Sequence, residues 1–116
     1  MDISLSKLIR ALIKGNDYAK GTIITIDRDE LVYDKSLSVY NNAYFKHKPT
    51  GSYLYVEYAD DENYVSIYII LPNESATDDC WKHHLADDYG DAMIWDKLDD
   101  DYEFKEFDVE YKYEIN

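Results

Sequence analysis

The sequence predicts an α+β fold with a mostly antiparallel sheet of four to five strands, an N-terminal amphipathic helix, and one or two helices before the last strand. Three observations carry this expectation. Apolar residues near the amino end recur at helical spacing, the middle of the chain alternates apolar and polar residues between turn signals, and the period changes after Pro72 before a final alternating run. The 116 residues suit one acidic domain, 1–116, and a hydrophobic content of 46% is enough for a core.

Leu5, Leu8, Ile9, Leu12 and Ile13 fall at the i, i+3, i+4, i+7, i+8 positions of one helical face. Asp2 or Ser4 can cap this helix, expected over 4–14, and Gly15-Asn16 supplies its stop. Gly21 opens a β-branched run at 22–26, expected as a strand, followed by a charged turn at 27–30 and a short apolar piece at 31–33. Runs at 44–47 and 52–58 flank Lys48-Pro49-Thr50-Gly51, where Pro and Gly suit a tight turn, so these runs are expected to form a hairpin. Asp60-Asp61-Glu62-Asn63 makes the next turn, and 64–71 returns as a strand ended by Pro72. Alternation points Leu54, Val56, Val65, Ile67, Ile69 and Leu71 inward and sets Tyr53, Tyr55, Tyr64 and Tyr68 on the opposite face.

Beyond Pro72, Thr77 can cap a helix whose first turn holds Asp78 and Asp79, where acids complement the helix dipole. Trp81, Leu85, Tyr89 or Ala92, Trp95 and Leu98 make a helical stripe interrupted at Gly90, which fits one kinked helix or two short ones. Trp81 and Trp95 are expected as core anchors. Phe107, Val109, Tyr111, Tyr113 and Ile115 then alternate with Asp108, Glu110, Lys112 and Glu114, the pattern of a half-buried strand with an acidic outer face.

Charge is segregated along the chain. Residues 1–58 hold 7 acids and 8 Lys or Arg, while 59–116 hold 18 acids and 4 Lys, so the halves carry net charges of +1 and −14. Such concentration costs self-repulsion and generates a one-signed field over part of the surface. An aromatic content of 16% argues against a disordered acidic chain. The candidate partner-binding residues are Asp87, Asp88, Asp91, Asp96, Asp99, Asp100, Asp101, Glu103, Glu106, Asp108 and Glu110, with Tyr89 and Tyr102 as aromatic contacts among them. Carboxylates spaced about 5–6 Å apart on a helix or roughly 6.6–6.8 Å apart on a strand can imitate a nucleic-acid backbone, because basic grooves respond chiefly to charge and its spacing.

With its many Tyr and Asp, few Pro and acidic final third, the chain resembles the small acidic phage-encoded DNA mimics that block restriction enzymes or CRISPR nucleases. Leu8-Ile9-Arg10 followed by Asp17-Tyr18, and the end Glu114-Ile115-Asn116, are similar to the ends of a small Listeria-prophage inhibitor of a type II-A CRISPR nuclease. The resemblance covers about a tenth of the chain and implies a protein whose carboxylates occupy a nucleic-acid site. The expected partner is thus a basic nucleic-acid-binding protein, a nuclease or defence complex, with no direct nucleic-acid or membrane binding. A homodimer stays open.

Two other readings use different features. An immunity protein or antitoxin that plugs a basic toxin nuclease would share the same electrostatics. A small metal-dependent enzyme would instead use Cys80, His83, His84, Asp87 and Asp88, whose i, i+4 pairs would bring two or three ligands together on a helix. No second ligand pair accompanies them, and no phosphate loop, dinucleotide fingerprint or nucleophile elbow occurs, so neither cofactor nor enzyme activity is expected. The 60–63 turn lacks the length and glycine of a calcium loop. Without a secretion signal or an apolar run of membrane-spanning length, and with Cys80 as the lone cysteine, the expected compartment is the cytoplasm.

Overall fold

The computed structural model describes residues 2–38, 42–59, 64–88 and 111–115. In chain order the elements are β1 (Asp2–Ser4), α1 (Leu5–Ile13), β2 (Ile23–Ile26), a 3-10 turn (Arg28–Glu30), β3 (Leu31–Tyr33), β4 (Asn42–His47), β5 (Tyr53–Ala59), β6 (Tyr64–Ile70), β7 (His83–Asp88) and β8 (Tyr111–Glu114). They form two sheets. Strands β3 to β7 follow one another in sequence order as a five-stranded antiparallel meander. A smaller sheet has the order β1-β2-β8, with β1 parallel and β8 antiparallel to β2. The expected α+β class with a mostly antiparallel sheet is what the chain adopts.

Helix α1 forms where the apolar period demands it. Its amino end is capped by the Ser4 hydroxyl, which accepts the Lys7 N–H at 3.1 Å. Its carboxyl end closes through paired bonds, Asn16 N–H to Ala11 O and Gly15 N–H to Leu12 O, both 3.0 Å long. This closure needs a left-handed residue, and Gly15 supplies it at φ 83°. Leu5, Leu8, Ile9 and Leu12 are buried, whereas Ile13 at the margin of the stripe is half exposed.

The five-stranded sheet buries its inner face and part of its outer face. On the inner face Phe45, Leu54, Val56, Val65, Ile67, Ile69 and Leu85 pack with Ile24 and Ile26 of β2, Ile115 beyond β8, and the apolar stripe of α1. All six residues expected inward, from Leu54 and Val56 to Leu71 just beyond β6, are in this core. The outer face carries a tyrosine layer in which Tyr44, Tyr55 and Ile70 pack against Cys80, covered by the segment that follows Pro72. Tyr55 lies 4.8 Å from Tyr44 and 5.7 Å from Tyr68 between ring centroids.

The segment after Pro72 differs from the helix expected there. Residues 75–79 form a turn in which the Ser75 hydroxyl accepts the Asp78 N–H at 3.1 Å and Asp79 Oδ2 accepts the Ser75 N–H at 2.8 Å. The chain then enters β7, an edge strand of its sheet, with a register shift between Ile67 and Tyr68 on its neighbour. The helical spacing of Trp81 and Leu85 gives way because β6 offers ladder partners, and pairing there seals Leu85 and Ala86 over the core. Trp81 is correspondingly not a core anchor: it is 58% exposed. The remainder of the expected helical stretch, Trp95 included, and residues 107–110 of the final strand lie outside the described residues. Strand β1, three residues long, was too short for periodicity to reveal.

One polar cluster pins the helix to the sheet. The fully buried His47 imidazole sits with Nδ1 2.7 Å from Thr50 Oγ1, and with Nε2 3.4 Å from Ser6 Oγ and 3.6 Å from Glu30 Oε1. The Ser6 hydroxyl also donates to Glu30 Oε2 at 3.3 Å. Burial lowers the His47 pKa, opposed by Glu30 and assisted by Arg10. Because the folded value lies below the unfolded one, the unfolded chain binds the proton more readily. The contribution of neutral His47 to stability is therefore present above about pH 6.5 and declines as pH falls from there toward the folded value. Chemical denaturation at pH 7.5, 6.5 and 5.5 should show this loss, and His47→Gln, which cannot ionise, should flatten the dependence. An equal slope in the variant would assign the loss to other groups.

Candidate functional site

Antiparallel order brings three strand ends together. Tyr64 faces Ala59, and Asp88 faces Val65, so the end of β5, the start of β6 and the end of β7 lie together at one end of the sheet. The sequence joining β5 to β6 carries Asp60, Asp61 and Glu62, and the sequence running on from Asp88 to β8 holds 9 acids and 2 Lys in residues 89–110. The opposite end of the sheet holds the β4–β5 turn with Lys48, and Lys46 lies 5.8 Å from the Tyr53 ring centroid. The 3-10 turn Arg28-Asp29-Glu30 leads into β3 at that same end, since Leu31 pairs with His47.

Near these strand ends, Glu57, Ser66 and Asp87 face one another across three strands. The same outer face carries Trp81. Glu57 Oε2 accepts two donors, the Tyr55 hydroxyl at 2.9 Å and Trp81 Nε1–H at 2.7 Å. Asp87 Oδ1 accepts the Ser66 hydroxyl at 2.7 Å and lies 2.9 Å from His84 Nε2. The His84 ring rests against Tyr68 with centroids 5.1 Å apart, and the Tyr18 hydroxyl donates to the His84 carbonyl. Each carboxylate therefore has one oxygen held by the protein's own donors, on strands whose backbone is fixed by the ladder. Burial and the neighbouring carboxylate raise the pKa of Tyr55, and burial with Cys80 and Glu57 nearby pushes Tyr44 up to about 12, so both hydroxyls keep their protons and stay donors.

Of the expected partner-binding residues, Asp87 is placed on this face and Asp88 at the end of β7. Asp91, Asp96, Asp99, Asp100, Asp101, Glu103, Glu106, Asp108, Glu110, Tyr89 and Tyr102 lie outside the described residues. The sequence alone does not mark Glu57 or Trp81 for binding: Glu57 sits in the near-neutral half of the sequence, and only the strand register brings it opposite Ser66 and Asp87.

The cluster from Cys80 to Asp88 does not acquire helical geometry. His83 and His84 are successive residues of β7, and their side chains turn to different partners: His83 Nε2 lies 3.0 Å from Glu74 Oε2, while His84 pairs with Asp87. Glu74 also accepts the Leu71 N–H at 2.8 Å and pairs with Lys82 Nζ at 3.3 Å. Burial opposes its ionisation, but the Leu71 amide, His83 and Lys82 outweigh it and lower its pKa. Cys80 is buried in the tyrosine layer with its thiol donating to Thr77 O at 3.5 Å, and burial raises its pKa, the opposite of an activated nucleophile. Among the described residues no group of three or more metal-ligating side chains converges. A cleft of about 480 Å³ opens where Leu12, Gly15, Asn16, Asp17 and Tyr18 meet Lys82 and His83, away from the acidic row. No helix among the described residues is long and apolar enough to cross a membrane. Comparison of the chain with protein-family models, with curated proteins and with solved structures found no match in any of the three.

Proposed function

We propose that this protein is an inhibitor that acts as a nucleic-acid mimic: it occupies the basic groove of a host defence nuclease or other DNA-binding enzyme, in the manner of anti-CRISPR and anti-restriction proteins. It works in the host-cell cytoplasm and catalyses no reaction of its own. The observation that carries this reading is the segregation of charge, 18 acids against 4 Lys in residues 59–116 beside a near-neutral first half. The meeting of β5, β6 and β7 ends, from which both acid-rich stretches of sequence depart, supports it. A groove built to neutralise phosphates attracts such a surface by the same long-range field, and occupation by carboxylates excludes DNA.

A polyanion of net charge −13 repels DNA, so the mimic competes for the enzyme and leaves the nucleic acid alone. Immobilised protein should retain its partner at about 0.1 M salt and release it to duplex DNA, while the protein itself should not shift DNA in a gel. Affinity for the partner should fall steeply between roughly 50 and 300 mM salt as screening shortens the field. A DNA shift by the protein alone, or an affinity flat over that salt range, would remove the mimic from consideration.

A further inference from the structure

We infer that the corner formed by Trp81 and Glu57 is a docking point for an arginine side chain of the basic partner, an inference that rests on the function proposed above and names the chemistry of one contact within it. Trp81 is the most exposed of the large apolar side chains among the described residues, at 58%. Its ring is nevertheless fixed, because Nε1–H donates to Glu57 Oε2 at 2.7 Å and the indole meets Tyr55 edge to face with centroids 6.4 Å apart. The polar edge of the indole is thus already satisfied, so a partner can cover the ring without orphaning a donor, and little side-chain freedom remains to be lost.

The carboxylate beside it is set in the same way. Both donors to Glu57 converge on Oε2, so among the described residues Oε1 retains its lone pairs for a donor from outside. An aromatic face next to a carboxylate oxygen matches a guanidinium, which stacks flat on indole while its N–H fork bonds the acid. A lysine ammonium is strongly hydrated and presents no plane to stack, so the corner favours arginine. Asp87 stands two strands away in the same row, roughly 9.5 Å from Glu57 by strand spacing, with Oδ1 taken by Ser66 and His84. It adds an attraction for a second basic side chain, and the protein's net charge of −13 selects a cationic occupant over any other.

Hexa-arginine and hexa-lysine peptides provide the test, titrated into 15N-labelled protein at about 0.1 M salt while the indole N–H resonances are followed; Trp81→Phe assigns the signal. The arginine peptide should bind more tightly, move the Trp81 resonance, and lose about tenfold in affinity with Trp81→Ala or Glu57→Gln, while lysine-peptide binding changes little. Glu57→Gln keeps an acceptor for Tyr55 and Trp81, so it serves if Trp81→Ala proves unstable by circular dichroism. If the arginine peptide binds but neither substitution weakens it and the Trp81 signal stays in place, the corner is not the docking point, and the proposed mimicry stands without it. If neither peptide binds, the inference and the electrostatic reading beneath it both fall.

Discussion

Replacing Asp99, Asp100 and Asp101 together by Lys should weaken binding to the partner at least a hundredfold while leaving the melting temperature level or slightly higher. If the protein occupies a basic groove as proposed, three attractive charges would become repulsive, which costs several kcal/mol in affinity. Within the free protein the change relieves crowding in a half of net charge −14, where exposed charges are each worth less than about 1 kcal/mol to folding. A suitable control reverses Asp2, Asp17 and Asp29, all exposed and all in the neutral half. Asp27 and Glu30 are unsuited to that control, because Asp27 caps the 3-10 turn by accepting the Asp29 N–H and Glu30 belongs to the His47 cluster. Equal loss in both triples, measured by inhibition of the partner, would place the functional face elsewhere on the molecule.

Phe45→Ala should cost about 3–5 kcal/mol of stability and lower the melting temperature by well over 10 °C. Phe45 is fully buried at the centre of β4, between the tilted ring of Tyr33, 5.5 Å away, and Leu54 directly across the ladder. Removing the ring leaves a void that the paired strands cannot close without breaking register. Val32→Ala on the neighbouring edge strand, where the side chain is 49% exposed, should change stability by less than about 1 kcal/mol. Thermal denaturation of both variants checks the contrast, and a mild effect at Phe45 would mean that the inner face of the sheet is not the core.

The parts of the fold readable from sequence were those in which a local rule and the tertiary environment agree. Ser4, the Leu5–Ile13 stripe and Gly15 each specify the helix independently, and the structure uses all three. The hairpin turn at 48–51 was legible because Gly51, at φ 77°, closes it with its N–H on His47 O at 2.8 Å. Strand β7 was not legible, since His83-His84-Leu85-Ala86-Asp87-Asp88 has little β-branched or aromatic character and is held by pairing with β6. The same non-local pairing hid the site. Asp87 could be nominated for charge alone, but its neighbours Glu57 and Ser66 come from strands that only the register sets beside it, and Trp81 reads as a core residue until the turn at 75–79 takes the place of the helix.

The pairing of β8 with β2 has a consequence for the order in which the molecule assembles. The meander from β3 to β7 joins sequence neighbours, so it can form progressively as the chain emerges during synthesis. The small sheet cannot: Ile26 pairs with Tyr111, Ile23 pairs with Glu114, and Ile115 must reach the shared core beyond them. Until residue 115 has left the ribosome, β2 lacks its second neighbour and the inner face of the meander lacks part of its cover. Closing this long loop costs more chain entropy than closing any hairpin of the meander, and every acid of the 89–110 stretch lies within its sequence. The most highly charged stretch of the sequence is therefore held at both ends only once β8 has paired with β2.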